Sequence, residues 1–345
     1  MTSRQIESLL DTLARPRLVP VARNVWALAF QLMKLVVARS VVAKAIERGE
    51  LEPGQPIGES TSGTMGLGLA LAGVERGHPV LLVSDPVVGP ELANKLKILG
   101  AELHIVTATT GCENYQVARL ERLEQLRRDT GAYLTSQYDN PDAVDAYAEA
   151  AGIAVEALGH VDWLVSPTGS GANATGLARH IGRRQGEPVK LAAVDTPGSV
   201  LFGQADAARP FRGLGNSLIP GNLDHGLVDE VHWLRVAPAQ RGANTLYRNQ
   251  ALDVGPTSGA AYLAALDLAR RNPHAHVVFV SADTGERYRT SFLDPEWLRE
   301  RGLDAGADVE APVPVDSPRQ ATGPWSVLAW ERRALRQPAA LEVRR

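Results

Sequence analysis

Short apolar runs alternate along this chain with longer segments whose apolar positions recur every three or four residues. The short runs are rich in Val, Leu, Ile and Ala and end at Gly, Ser or Asp, as in Val80-Leu81-Leu82-Val83-Ser84 and Val277-Val278-Phe279-Val280-Ser281. Runs apolar on both faces suit strands buried between helix layers, so the pattern predicts βα units and a parallel sheet. Strands are expected over 80–84, 102–107, 132–135, 162–166, 190–194 and 277–281. Helices are expected over 35–48, 63–75, 90–99, 115–128, 143–158, 172–183 and 258–270, several with a Gly stop such as Arg48-Gly49 or Leu99-Gly100. The fold class is α/β. No internal repeat argues for a solenoid.

The chain of 345 residues is long enough for about two domains. Its 36 Lys and Arg against 39 Asp and Glu leave a charge of −3, with no basic stripe, so nucleic acid is not an expected partner. Cys112 stands alone, which excludes a disulfide framework within the chain and fits a reducing, cytoplasmic setting. The charged first residues do not read as a secretory signal, and no stretch of ~18 apolar residues predicts a membrane span. The eight His show no metal-ligand spacing, so no metal is expected. From 304 to 345 the chain is rich in Pro, Ala and charge around an apolar island at 325–330, and reads as a tail packed partly on the body or on a partner chain.

Candidate chemistry lies in two small-residue loops. Glu59-Ser60-Thr61-Ser62-Gly63-Thr64-Met65-Gly66 opens one helix, and Ser166-Pro167-Thr168-Gly169-Ser170-Gly171-Ala172-Asn173 opens another directly after a strand. Free backbone N–H groups at a helix start suit an anion. Two such loops imply a ligand with two anionic ends, or a cofactor phosphate beside a substrate carboxylate. A dinucleotide site is disfavoured, because no Gly-x-Gly-x-x-Gly follows the first strand.

The first loop, Thr61 to Gly66, resembles the Thr-Ser-Gly-Asn-Thr-Gly substrate loop of the cysteine synthase and cystathionine β-synthase family, the fold-type II pyridoxal-phosphate enzymes. Further segments follow in the family's order. Leu99-Gly100-Ala101-Glu102 resembles the turn after the next helix, and Gln137-Tyr138-Asp139-Asn140-Pro141 the Gln-Phe-x-Asn-Pro segment. Gly169 to Asn173 is similar to the Gly-Thr-Gly-Gly-Thr phosphate loop. Gly213-Leu214-Gly215-Asn216-Ser217-Leu218-Ile219-Pro220 is similar to Gly-Ile-Gly-Ala-Gly-x-x-Pro. Gly255-Pro256-Thr257-Ser258-Gly259-Ala260-Ala261 and Asp283-Thr284-Gly285-Glu286-Arg287-Tyr288 resemble two further family turns.

The resemblance implies the tryptophan synthase β-like architecture: two open, mostly parallel sheets with pyridoxal 5′-phosphate in the cleft between them. A large domain would comprise 1–37 and 137–303, a small mobile domain 38–136, and the tail 304–345. It implies β-elimination or β-replacement on a β-substituted L-amino acid through an aminoacrylate, and a homodimer. Lys34, placed just before the helix 35–48, takes the position of the Schiff-base lysine and general base; Lys44, inside that helix, is the rival. Gly169, Ser170, Gly171, Ala172 and Asn173 would hold the phosphate, Thr257 the ring nitrogen, and Thr64 the ring's oxygen. Thr61, Ser62, Gly63, Thr64, Gln137 and Gly213 would contact the substrate.

Some positions depart from the family pattern. The Asn-Pro-x-x-Ser approach to the lysine is replaced by the apolar run Asn24 to Met33, and Thr64-Met65 stands for Asn-Thr. These changes suggest a specialised member with another leaving group or nucleophile. A β-eliminating lyase and a non-catalytic homologue are the alternatives.

Overall fold

The computed structural model describes residues 8–61, 63–107, 115–210 and 213–335. Strands in chain order are β1 (Arg17–Ala22), β2 (Val25–Ala29), β3 (Ile57–Ser60), β4 (Val80–Ser84), β5 (Glu102–Ile105), β6 (Tyr133–Leu134), β7 (Trp163–Pro167), β8 (Lys190–Asp195), β9 (Val228–Leu234), β10 (Val277–Ser281), β11 (Val313–Pro314) and β12 (Trp325–Ala329). The helices are α1 (Leu9–Ala14), α2 (Met33–Glu47), α3 (Thr64–Arg76), α4 (Pro90–Ile98), α5 (Tyr115–Thr130), α6 (Pro141–Asp145), α7 (Ala148–Leu158), α8 (Ala172–Gln185), α9 (Val236–Gln250), α10 (Pro256–Arg271) and α11 (Pro295–Glu300).

The strands form an eight-stranded sheet, β1-β2-β10-β7-β8-β9-β12-β11, and a four-stranded sheet, β5-β4-β3-β6. The small sheet is parallel throughout, and so are the five strands from β2 to β9. Alternation along the central strands separates two cores. Leu28, Leu164, Leu191 and Val278 face one layer with α7 and α8, whereas Ala27, Val165, Val194 and Phe279 face the other with α9 and α10. The first core continues through α2 and α3 to Ile57, Val80 and Leu82 of the small sheet, so one apolar body joins the two sheets.

The elements differ from the expected ones in ways that have physical causes. The run before Lys34 is a β-hairpin, β1–β2, whose second strand pairs with β10. Strand β9 carries Asp229, Glu230 and His232 among its apolar residues, and each is paired: with Arg332, Arg271 and Trp325 respectively. Helix α9 contains Pro238 and Gly242, which hide a helical pattern. The helix expected over 143–158 is two, α6 and α7, and the strand over 132–135 shortens to Tyr133–Leu134. The stretch from 304 packs on the body as strands of the large sheet: β12 pairs antiparallel with β9 and buries Trp325 and Leu328, and β11 forms the edge beyond it.

Candidate active site

In a parallel sheet the carboxyl ends of all strands lie on one edge, and connections leaving that edge build the site. Strands β2, β10 and β7 are neighbours, so the segments after Ala29, Ser281 and Pro167 emerge together. After β2 the chain bonds back to β10: Phe30 N–H donates to Ser281 O and Met33 N–H to Ala282 O. Helix α2 therefore begins at Met33, and Lys34 is in its first turn rather than just ahead of it.

The Lys34 amine donates to Ser170 Oγ at 3.1 Å, across the intervening strand. Lys34 as a whole is half-buried, but its amine is desolvated, and this pushes its pKa down to about 8 while the Glu59 carboxylate pulls it back up. Lys44, in contrast, is ion-paired to Asp142 at 3.3 Å and Asp145 at 3.6 Å on the outer face of α2. The first turn of α3 lies against Lys34 because residue 68 is glycine. A Cβ there would meet the Lys34 carbonyl oxygen at 2.8 Å.

The loop holding Ser170 is a cradle of backbone. Gly171 has φ +79° and its Cβ would lie 2.5 Å from Leu223 Cβ, so the chain can turn there only as glycine. Helix α8 starts immediately after, at Ala172, with no side chain capping its free N–H groups. Such a terminus beside a desolvated lysine fits a ligand carrying a phosphate and an aldehyde. Gly213, at φ +88°, stands over both Gly169 and Thr257: its carbonyl lies 3.3 Å from a Cβ at 169, and its own Cβ would meet Thr257 Cγ2 at 3.0 Å. Thr257 is buried in the first turn of α10, and the adjacent Ser258 Oγ accepts from Ala282 N–H at 3.1 Å, which ties that helix start to the lysine's turn.

Across the cleft, β3 delivers the other loop. Thr61 N–H donates to Val83 O at 2.9 Å, and Thr61 Oγ1 accepts from Gly63 N–H at 3.2 Å; Thr64 then opens α3. Ser62 lies outside the described residues. Gln137 packs directly behind this loop, donating its side-chain amide to Ser60 O at 2.8 Å.

Lys34, Gly169, Ser170, Gly171, Gly213 and Thr257 are thus brought together, and Gly68 sets α3 against Lys34, but two predicted side chains are turned to structural use. Asn173 donates to Ser166 Oγ at 2.7 Å and Pro167 O at 2.9 Å, which leaves its backbone to the cradle. The Gln137 amide holds the loop in place. Sequence reasoning passed over Glu59, which is buried beneath the loop it opens. It accepts hydrogen bonds from Thr135 Oγ1 at 2.6 Å, Ser60 N–H at 2.8 Å and Gln137 N–H at 3.0 Å. Burial pushes its carboxyl pKa up against those donors and the Lys34 charge. The signal in the sequence is an acid between Gly58 and the small-residue loop. Asp195, ending β8, is a second buried acid at the end of a strand, with burial lifting its pKa to about 7. Among the described residues no cluster of His, Cys, Asp or Glu could hold a metal, and no helix is long and apolar enough to cross a membrane.

Known proteins resemble this chain over most of its length. A family profile described as pyridoxal-phosphate dependent enzyme matches residues 33–283. The N-(2-amino-2-carboxyethyl)-L-glutamate synthase of Ralstonia nicotianae is 32% identical over 80% of this chain and 83% of its own. Cysteine synthase A of Salmonella typhi is 29% identical over 79% of this chain and 87% of its own. The crystal structure of O-acetyl serine sulfhydrylase isoform 3 from Entamoeba histolytica superposes with a TM-score of 0.77 at 26% identity, covering 85% of this chain and 92% of the other.

Proposed function

This chain belongs to the pyridoxal-phosphate dependent enzymes, and on that premise we propose that it replaces the β-substituent of an L-amino acid of the O-activated serine or cysteine type. Pyridoxal phosphate, when bound, supplies an aldehyde for a lysine amine and a conjugated ring that draws electron density from the substrate α-carbon. The observation that carries the reading is the Lys34 amine 3.1 Å from Ser170 in the glycine cradle.

The chain's own residues have the following work. Lys34, with its pKa lowered to about 8, is far more readily deprotonated near neutral pH than an ordinary lysine and can take the α-proton of a bound amino acid. The N–H groups of Gly169 to Asn173 would hold the phosphate, and the Thr257 hydroxyl would lie toward the ring nitrogen, a partner that suits loss of a β-group. Thr61, Ser62, Gly63 and Thr64 hold the substrate, with the carboxylate at the start of α3; Gln137 supports that loop through its bond to Ser60 O, and Gly213 closes the wall opposite. Closure of the unit formed by 38–136 over the carboxylate excludes water. A cytoplasmic homodimer is the assembly this reading carries.

The name of the Ralstonia relative describes a product whose carbon chain is joined to the nitrogen of glutamate. The nucleophile assay therefore pairs sulfide with L-glutamate. Wild type reconstituted with pyridoxal phosphate is expected to show the visible absorption band of the lysine-bound cofactor, and Lys34→Ala to lose it. O-acetylserine, O-phosphoserine or cysteine should then perturb the wild-type band, with product formed only when a nucleophile is added. Release of pyruvate without a nucleophile would replace this reading with net elimination, and a band that no amino acid perturbs would replace it with a non-catalytic homologue.

A further inference from the structure

The two sheets meet at more than their shared apolar core. Helix α5 packs on β3 and β4 of the small sheet, whereas the loop 213–220 belongs to the large one. Gln116, in the first turn of α5, is 9% exposed, and its side-chain amide donates to Asn216 Oδ1 at 3.1 Å. Asn216 is 7% exposed and donates in turn to the carbonyl of Gly169 at 3.3 Å. One side chain thus bonds both a helix of the small sheet and the first residue of the glycine cradle.

Asn216 is itself held firmly. Its N–H donates to Ser199 Oγ at 3.1 Å, and the preceding Gly215 N–H donates to Thr168 O at 2.9 Å, so the loop is pinned to the strand end beneath the cradle. Its Oδ1 also accepts from Ser217 N–H at 2.9 Å, which fixes the side-chain rotamer. In the motif that this loop resembles, the position of Asn216 is an alanine, which has no group able to make either bond.

We infer that Asn216 is a positioning residue that registers α5 on the cofactor cradle, serving the amino acid through its bond to Gln116 and the phosphate through its bond to Gly169. The inference rests on the reading that substrate enters the cleft between the two sheets. Opening the cleft breaks the Gln116 bond but leaves the Gly169 bond intact, and the two contacts are therefore separable by substitution. Losing one buried hydrogen bond corresponds to roughly fivefold to tenfold in an equilibrium constant.

The test uses the full-length holoenzyme and three variants: Gln116→Leu, Asn216→Asp and Asn216→Ala. Asn216→Asp keeps the acceptor for Gln116 and removes the donor to Gly169. Gln116→Leu is expected to raise KM for the amino acid about tenfold with kcat within about threefold and cofactor affinity unchanged. Asn216→Asp should weaken pyridoxal phosphate about fivefold with KM near wild type, and Asn216→Ala should do both. The double variant Gln116→Leu/Asn216→Ala should raise KM by less than the product of the two single effects, since the bond they share is lost only once. Additive effects on KM, or a Gln116→Leu enzyme indistinguishable from wild type, would overturn the inference. Should wild type hold cofactor yet respond to no amino acid, the proposed function fails and the Gly169 bond is read from cofactor release. Release is then expected to be about fivefold faster in Asn216→Ala and unchanged in Asn216→Asp/Gln116→Leu relative to Asn216→Asp; equal release from wild type and Asn216→Ala would overturn the inference by itself.

Discussion

Lys34 and Lys44 share one helix and differ in what decides lysine chemistry. Lys44 sits between two carboxylates at the surface, where a charged amine is favoured. Lys34 has a serine hydroxyl as its partner and a desolvating wall around its amine, so the charged form is penalised. The sign of the pH effect follows. The unfolded lysine keeps its proton to about its ordinary 10.5, while the folded one releases it near 8. Between those values the unfolded chain binds more protons, so the stability of the cofactor-free protein should rise with pH across that window. The rate at which cofactor-free protein takes up pyridoxal phosphate should rise with pH through about 8 and then level, as measured by growth of the visible band. A rate already level at pH 6 would mean that another amine reacts.

At the scale of elements, the site depends on how closely two helices approach. Helices α2 and α3 come from different sheets' edges, one bearing Lys34 and the other opened by the Thr61–Thr64 loop. Gly68 is the contact that lets them touch, since any Cβ would strike the backbone of Lys34 rather than a side chain that could swing away. Gly68→Ala should therefore destabilise the protein by about 1–3 kcal/mol in urea unfolding, the usual cost of overpacking. It should also weaken substrate binding more than cofactor binding, because α3 moves and the cradle does not. Equal losses in the two affinities would show that the strain spreads through α2 to the lysine.

At the scale of the whole molecule, the large sheet is completed from the far end of the sequence. Strand β12 covers β9 with Trp325 at 1% exposure, and the indole N–H of Trp325 donates to His232 Nδ1 at 3.1 Å. Without β12, β9 would become an open apolar edge, a template for aggregation. Trp325→Ala should cost about 3–5 kcal/mol of stability by chemical denaturation. Truncation before residue 324 should give protein that aggregates even when supplied with cofactor.

The sequence by itself determined the class of fold, the family and the gathering of Lys34 with its two glycine-bearing loops, because these are written locally: apolar strands on both faces, small residues at helix starts, a lysine at a helix entry. The buried parallel strands were legible wherever every residue was apolar. β9 and α9 were not, since their polar or helix-breaking residues are made tolerable only by partners distant in the chain, such as Arg332 for Asp229 and Trp325 for His232. Only the tertiary structure decided that the proline-rich end closes the sheet, that Asn173 and Gln137 turn their amides to the backbone, and that Glu59 is buried where it feels the Lys34 charge. Only the packed chain brings Gln116 to Asn216. Burial and hydrogen bonding between segments far apart in sequence leave no local pattern, so a residue whose role comes from what covers it can be read only once the chain is packed.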